Sequence, residues 1–257
     1  MRRTFLATAL ALAACAASGA DHLVKVDTRA GVHTSYWWME RPGATAALLL
    51  IPGGAGGMGF KAGVPASSNF LVRSRDRFAA AGFDVAILGK PSDHRDMDLE
   101  FRASPEHVED LRHVVARVRA ASGKPVWLVG TSRGTVSAAA GAIGLGDAIA
   151  GVVLTSSITA PNEPHAVENL ALDRVRVPVL VVHHELDSCH LTPPQEAHRI
   201  VDKLARAPAK KLLLVEGGGP AYGPPCEPMY WHGYVGMEQE VVDAIAAFVR
   251  AHPAQSR

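Results

Sequence analysis

The chain of 257 residues carries 26 lysines and arginines against 25 aspartates and glutamates, a formal net charge of +1 at pH 7. Because it has neither an excess nor a long run of positive charge, the composition argues against nucleic acid as a partner. The length fits one α/β domain with a single core and is too short for two large domains.

The first 20 residues have the pattern of a secretory signal peptide. Positive residues open the chain, residues 5–14 are apolar, and small residues follow. This apolar segment is too short to span a bilayer as a helix. Cleavage after Ala20 would leave residues 21–257 as a single exported domain, either periplasmic or secreted.

A second interpretation of the same segment stays open. Leu12-Ala13-Ala14-Cys15 resembles a bacterial lipobox, in which residues 1–14 are removed and the cysteine carries a lipid. In that case the protein is a lipoprotein, and its attachment to a membrane runs through Cys15.

After this segment, short apolar runs alternate with helical patterns. Residues 23–26 and 32–39 alternate loosely in polarity and predict an antiparallel hairpin. Six further strands are predicted at 46–51, 84–88, 126–129, 151–155, 177–182 and 211–215, and five helices at 69–81, 105–121, 135–143, 194–205 and 237–251. The alternation predicts an α/β fold with a mostly parallel sheet flanked by helices. Ligands bind at the carboxyl ends of such strands.

Gly130-Thr131-Ser132-Arg133-Gly134 has the G-x-S-x-G pattern of a nucleophile elbow, in which a serine sits on a sharp strand-to-helix turn. The pattern lies between a predicted strand and a predicted helix, as an elbow requires. The two glycines allow a tight turn and close packing. The serine then lies at a helix N-terminus, where N–H groups favour developing negative charge. Ser132 is therefore the predicted nucleophile.

A serine hydroxyl needs a general base, and the base needs an acid that holds its tautomer. Asp187 follows the strand predicted at 177–182 and is the predicted acid, with Glu185 as its nearest alternative. His232 follows the last predicted strand and precedes the last helix, and it is the predicted base. Both residues leave the same edge of the sheet as Ser132.

An oxyanion hole needs two backbone N–H groups aimed at the tetrahedral oxygen. One is predicted to be the N–H of Arg133, next to the nucleophile. The other is predicted in the glycine turn, residues 52–57, which follows the strand at 46–51 and reads Pro52-Gly53-Gly54-Ala55-Gly56-Gly57. Gly54 is favoured as this donor, with Ala55 as the alternative, because glycines let the backbone approach a ligand.

With the elbow, Asp187, His232 and the glycine turn, the chain resembles the α/β-hydrolases over roughly residues 45–250, and especially secreted bacterial members of unassigned substrate. The resemblance implies an α/β-hydrolase fold, a Ser-His-Asp triad and no cofactor. One departure is that Pro52-Gly53 stands where the family commonly has His-Gly. Residues 156–176, where a cap is often inserted, are few enough to predict one short helix with loops, and so a minimal lid.

Cys189 and Cys226 are predicted to form a disulfide. The third cysteine lies in the signal segment, so an exported domain has one possible pair, and it meets an oxidising compartment. If Asp187 contacts His232, the loops that carry the two cysteines are neighbours. The bridge closes a loop of 37 residues, for which the chain-entropy model gives about 4 kcal/mol of stabilisation.

The sequence thus predicts a serine hydrolase that cleaves an ester or related acyl bond of a small molecule through an acyl-enzyme, with no metal. One alternative is a non-catalytic α/β-hydrolase-fold protein that binds a ligand in the periplasm. Another is a metal-binding protein that uses His183, His184 and His190. Adjacent histidines on a strand point to opposite faces, which argues against the metal site.

The two interpretations of the N-terminus predict different mature proteins. Expression with the native signal should give a mature N-terminus at Asp21 if the segment is cleaved as a signal peptide. A diacylglycerol on Cys15, with the protein partitioning into membranes, is the outcome of the lipobox. Intact mass spectrometry of the purified mature protein distinguishes the two.

Overall fold

The computed structural model describes residues 20–254, so the predicted signal segment and Cys15 lie outside the described residues. The strands are β1 His22–Arg29, β2 Val32–Met39, β3 Ala47–Ile51, β4 Phe60–Lys61, β5 Val64–Pro65, β6 Asp84–Pro91, β7 Val126–Thr131, β8 Gly151–Thr155, β9 Val179–His184 and β10 Lys210–Val215. The α-helices are α1 Phe70–Arg73, α2 Arg75–Ala80, α3 Leu99–Ala103, α4 Pro105–Ser122, α5 Gly134–Leu145, α6 His198–Lys203 and α7 Glu238–Ala251.

Eight of the strands form one sheet, in the order β1-β2-β6-β3-β7-β8-β9-β10. Strand β2 is antiparallel to both of its neighbours, and the other adjacent pairs are parallel. The predicted hairpin and the predicted mostly parallel sheet are both confirmed. Strands β4 and β5 form a separate two-stranded ribbon.

The register of the central strands positions the functional loops. Ile51 at the end of β3 pairs with Gly130 near the end of β7, and Thr131 pairs with Thr155 at the end of β8. Parallel strands end at the same edge of a sheet. The glycine turn therefore leaves the sheet beside the nucleophile elbow.

Helices cover both faces of the sheet. Helices α4, α5 and α6 contribute to the apolar core on one face, and α1, α2 and α7 contribute to the core on the other. The helical stripe predicted in α4 is buried, as seen for Leu111, Val114, Val115 and Val118. The buried strands are apolar on both sides because each of their faces packs against a helix layer.

Several predicted elements differ from the structure. The helix predicted at 69–81 is two short helices, because Ser74 between them has φ −94° and ψ 3°, outside helical geometry. The helix predicted at 194–205 begins with the 3-10 turn Pro194–Glu196, and residues 156–176 hold two 3-10 turns, Val167–Asn169 and Leu172–Arg174, in place of a short helix. Helix α3 and the β4–β5 ribbon were not predicted, because segments this short carry little periodicity. Among residues 20–254, no helix has the length and apolar character needed to cross a membrane.

Candidate active site

Ser132 lies on the turn between β7 and α5. Its φ of 54° is in the left-handed region, which is sparsely populated by residues other than glycine and is common at functional sites. The conformation is held from both sides of the peptide chain. The Ser132 N–H donates to Thr155 O over 3.0 Å, and Ser132 O accepts the N–H of Thr135 over 2.9 Å.

The two glycines of the elbow have no room for a side chain. A Cβ built on Gly134 would lie 2.1 Å from the carbonyl oxygen of Ile51, and one on Gly130 would lie 2.4 Å from the carbonyl oxygen of Gly134. Both distances are far inside van der Waals contact with rigid backbone. The start of α5 thus approaches β3 and β7 closely, which is why the turn at Ser132 is so sharp.

Asp187 and His232 meet as the sequence predicts. Asp187 follows β9, and its Oδ2 accepts a hydrogen bond of 2.9 Å from Nδ1 of His232. Asp187 is 4% exposed and His232 5% exposed, whereas Glu185, the alternative acid, is exposed. An ionised carboxylate only accepts, so Nδ1 carries the proton and Nε2 keeps a free lone pair. That tautomer is the one a general base needs.

Thr192 is a third member of this cluster. Its hydroxyl donates to Asp187 Oδ2 over 2.9 Å and lies 3.1 Å from His232 Nδ1. The other carboxylate oxygen, Oδ1, accepts the N–H of Cys189 over 3.0 Å. Thr192 is completely buried. The acid is therefore fixed by two donors besides the histidine, and each of them restricts rotation of the carboxylate.

The loop that carries His232 is tied to the sheet. Ser156, directly after β8, has its hydroxyl 2.8 Å from His232 O and 2.9 Å from the hydroxyl of Tyr234. The Tyr234 hydroxyl donates to Val182 O over 2.9 Å. Burial raises the pKa of Tyr234, so its hydroxyl stays protonated as a donor. These bonds fix the backbone at His232.

Ser132 and His232 line the same cavity, of about 290 Å³. Within residues 20–254, no hydrogen bond joins their side chains. The rest of the lining is small or polar and comes from the glycine turn, from the start of α1 and from the loop before the base. These residues are Pro52, Gly53, Gly54, Ala55, Gly56, Gly57, Ser67, Ser68, Asn69, Phe70, Thr131, Cys226, Glu227, Pro228 and Gly233.

Of the predicted oxyanion donors, Gly54 and Ala55 line this cavity, and Arg133 directly follows Ser132, which also lines it. A Cβ on Gly53 would lie 2.8 Å from Ser132 Cβ and 3.4 Å from its Oγ, so the glycine turn packs directly against the nucleophile. In the described part of the chain, the N–H groups of Gly54, Ala55 and Arg133 have no hydrogen-bond acceptor. The Arg133 side chain forms an ion pair with Asp96, with Nη1 3.8 Å from Oδ1.

The predicted disulfide between Cys189 and Cys226 is present, with a Cα–Cα distance of 4.6 Å. Cys189 lies two residues after Asp187, and Cys226 lines the cavity six residues before His232. The bridge therefore links the loops of Asp187 and His232 by a covalent bond. It constrains the same pair that the hydrogen bond joins.

Among the described residues, His183, His184 and His190, which the alternative metal-binding interpretation uses, do not bring three ligand atoms close enough together to hold a metal ion. His183 accepts the N–H of Ser157 at Nε2 over 2.9 Å, and burial lowers its pKa to about 4. His184 accepts the N–H of Leu186 at Nδ1, so its Nε2 donates to Gly217 O. Among the described residues, the one set of three possible ligand atoms close enough for a metal ion comprises His190 and the two cysteines of the disulfide.

No protein-family model and no curated protein matches the sequence. Solved structures do match. Est1E from Butyrivibrio proteoclasticus is 15% identical over 90% of this chain and 98% of its own, with a TM-score of 0.64. XC6422 from Xanthomonas campestris, an α/β serine hydrolase without a lid, is 17% identical over 92% of this chain and 97% of its own, with a TM-score of 0.60. Dienelactone hydrolase from Anabaena variabilis is 14% identical over 91% of this chain and 98% of its own, with a TM-score of 0.65.

The chain has the α/β-hydrolase fold. In this fold the elbow serine, the acid and the base follow one another in that order along the chain, as Ser132, Asp187 and His232 do. Thr192 was not predicted from the sequence. A threonine five residues after an aspartate carries no pattern, and its role depends on the turn that brings its hydroxyl back to Asp187.

Replacing Thr192 with valine should lower kcat about tenfold while the fold remains intact. Valine keeps the shape and removes a hydrogen bond to a charged group, which is worth about 1.5–3 kcal/mol. The measurement is the steady-state hydrolysis of a chromogenic ester, with melting temperature as the check on folding. Thr192→Ser is the matched control, because it keeps the hydroxyl and should retain most of the activity. Equal kcat values for the two variants would contradict a role for the hydroxyl.

Proposed function

We propose that the protein is a serine hydrolase that cleaves a carboxylic ester or a related acyl bond of a small molecule. The observation that carries the proposal is that the strained Ser132 and the Asp187-paired His232 line one cavity. The α/β-hydrolase fold supports it, since the nucleophile, acid and base occur in the order that this fold uses. Three structures similar to this chain, named above, include an α/β serine hydrolase and a dienelactone hydrolase.

In the acylation step, Ser132 Oγ attacks the carbonyl carbon of the ester and His232 Nε2 takes the hydroxyl proton. Asp187 stabilises the imidazolium that forms and holds its orientation. The carbonyl electron pair moves onto oxygen. The N–H of Arg133 and a second N–H from the glycine turn, that of Gly54 or Ala55, donate to this oxyanion.

Collapse of the tetrahedral intermediate breaks the ester C–O bond. The leaving alcohol takes the proton from His232 and departs, which leaves an acyl group on Ser132. A water molecule then attacks the acyl carbon as His232 accepts its proton. When the second intermediate collapses, the bond between the acyl carbon and Ser132 Oγ breaks, Oγ takes the proton from His232, and the carboxylic acid is released. Every step uses side chains and N–H groups of this chain.

The cavity favours a small substrate with a short acyl group. Its volume of about 290 Å³ is at or below the lower end of the range for ligand pockets, about 300–1,000 Å³. Serine, asparagine, glutamate and backbone groups in the lining offer hydrogen bonds, whereas long alkyl chains gain most from a continuous apolar wall. We also propose that the protein acts after export, where the disulfide persists.

Ser132→Ala should lower kcat for a short-chain p-nitrophenyl ester by several orders of magnitude and leave the melting temperature nearly unchanged. A triad without its nucleophile retains only roughly 10³–10⁴ over the water reaction. Ser35→Ala on β2, which does not line the cavity, serves as the control and should have normal activity. A Ser132→Ala variant with more than a tenth of the unmodified activity would rule Ser132 out as the nucleophile.

A fluorophosphonate probe supplies the complementary test, because it reacts with an activated serine. Mass spectrometry should locate the adduct on Ser132. A folded protein that takes up no label and hydrolyses no ester would instead support the non-catalytic, ligand-binding alternative.

A series of p-nitrophenyl esters of increasing chain length tests the substrate class. We expect kcat/KM to be highest for acetyl to butyryl esters and to fall for decanoyl and longer esters, because the extra methylenes extend beyond the small cavity. A maximum at decanoyl or longer would contradict the short-acyl assignment while leaving the proposed chemistry in place.

A further inference from the structure

Arg102, on α3, is a completely buried cation bonded only to neutral groups. Its Nε donates to Met97 O over 2.8 Å, and Nη1 donates to Ser137 Oγ over 3.0 Å. Its Nη2 donates to Pro52 O over 3.1 Å and to Gly54 O over 3.3 Å. Within residues 20–254, it makes no ion pair with a carboxylate.

A buried charge without a partner of opposite sign is costly, so such groups are rare in structures. Burial lowers the pKa of Arg102 to about 9, which leaves the guanidinium protonated at neutral pH. The contacts of the guanidinium indicate what it does at this position.

Two of these contacts are carbonyls of the glycine turn. In a trans peptide the C=O and the N–H that follows it point in opposite directions. Binding Pro52 O and Gly54 O to the guanidinium therefore directs the N–H groups of Gly53 and Ala55 away from it. The carbonyl of Ala55 accepts the N–H of Met97 over 3.1 Å, five residues before Arg102. The segment that ends in α3 thus holds the carbonyl side of the turn.

The same turn packs against the nucleophile. Gly53 has no space for a Cβ, because one would lie 2.8 Å from Ser132 Cβ and 2.8 Å from the carbonyl oxygen of Thr131. A Cβ on Gly56 would lie 2.8 Å from Met97 Sδ and 3.3 Å from Arg102 Nη2, so this part of the turn packs against both side chains. The turn is therefore fixed by Ser132 and by Arg102 together. A shift of the guanidinium would move the peptide groups that face the cavity.

We propose that Arg102 is a positioning residue for the oxyanion hole: it orients the peptide groups of the glycine turn, and its unpaired positive charge favours the negative charge that develops on the substrate oxygen. This inference rests on the proposed serine hydrolase function. According to this inference, Arg102 stabilises the transition state, in which the substrate oxygen carries negative charge. It contributes little to binding of the uncharged substrate.

The test compares Arg102→Met, which removes the charge and the donors, with Arg102→Lys, which keeps the charge and part of the donor capacity. Loss of one oxyanion donor lowers kcat about 10²–10³-fold. Because Arg102 acts through such donors, we expect Arg102→Met to lower kcat about 10–100-fold, with KM within about threefold of the unmodified value. The kcat of Arg102→Lys should lie between that of Arg102→Met and that of the unmodified protein.

A spectroscopic readout separates this role from a structural one. A trifluoromethyl ketone labelled with ¹³C at the carbonyl forms a hemiketal when Ser132 Oγ adds to the carbonyl carbon, and its oxygen ionises in the oxyanion hole. The ¹³C shift followed against pH gives the pKa of that hemiketal. In Arg102→Met we expect this pKa to rise by about one, the equivalent of a tenfold loss of oxyanion stabilisation.

Each outcome decides the inference. Folded Arg102 variants with normal kcat, or with reduced kcat and an unchanged hemiketal pKa, would overturn it. If Arg102→Met does not fold, Arg102→Lys decides by the same two readouts. If the unmodified protein does not react with the fluorophosphonate at Ser132, the proposed function is overturned and this inference with it. If the unmodified protein is labelled at Ser132 but the Arg102 variants have the kcat and hemiketal pKa of the unmodified protein, the inference alone is overturned.

Discussion

The site depends on a buried hydrogen bond between two loops that are 45 residues apart, that of Asp187 and His232. A carboxylate this buried is tolerated only when its oxygens are satisfied, and here Cys189 N–H, the Thr192 hydroxyl and the histidine supply the donors. The disulfide joins the same two loops. The loops that carry Asp187 and His232 are thus held together by buried hydrogen bonds and by the disulfide between Cys189 and Cys226.

Ser132 is positioned by a different kind of constraint, which is steric. Gly134 lets α5 approach the carbonyl of Ile51, and the chain reverses so sharply that Ser132 takes a positive φ. Because β3 ends beside β7, the same close approach brings the glycine turn onto the serine. The glycine turn and Ser132 therefore share one packing contact. Asp187 and His232 approach them from the segments that follow β9 and β10.

The sequence predicted the parts of this site that depend on local pattern or on chain order. The elbow is a contiguous motif, and strand–helix alternation sends Asp187 and His232 to one sheet edge, which in turn made the cysteine pairing predictable. Thr192 and Arg102 could not be predicted, since each acts through a partner that only the folded chain brings near. In sequence, Arg102 looks like an ordinary surface arginine. The helix predicted at 69–81 is interrupted at Ser74, a residue whose backbone leaves helical geometry and which no sequence pattern marks as a break.

The two buried charges of the site are treated in opposite ways. Asp187 is surrounded by donors, and in the proposed mechanism its charge is matched by the imidazolium that forms when His232 takes the proton of Ser132. Arg102 is surrounded by neutral acceptors, and no charge in the resting protein is bonded to it. Fixed dipoles and charges assist catalysis most when they fit the charge that develops in the transition state and need no rearrangement. On that principle, a buried cation behind the glycine turn is suited to the negative charge of the proposed oxyanion, which would form on the side of the turn that Ser132 faces.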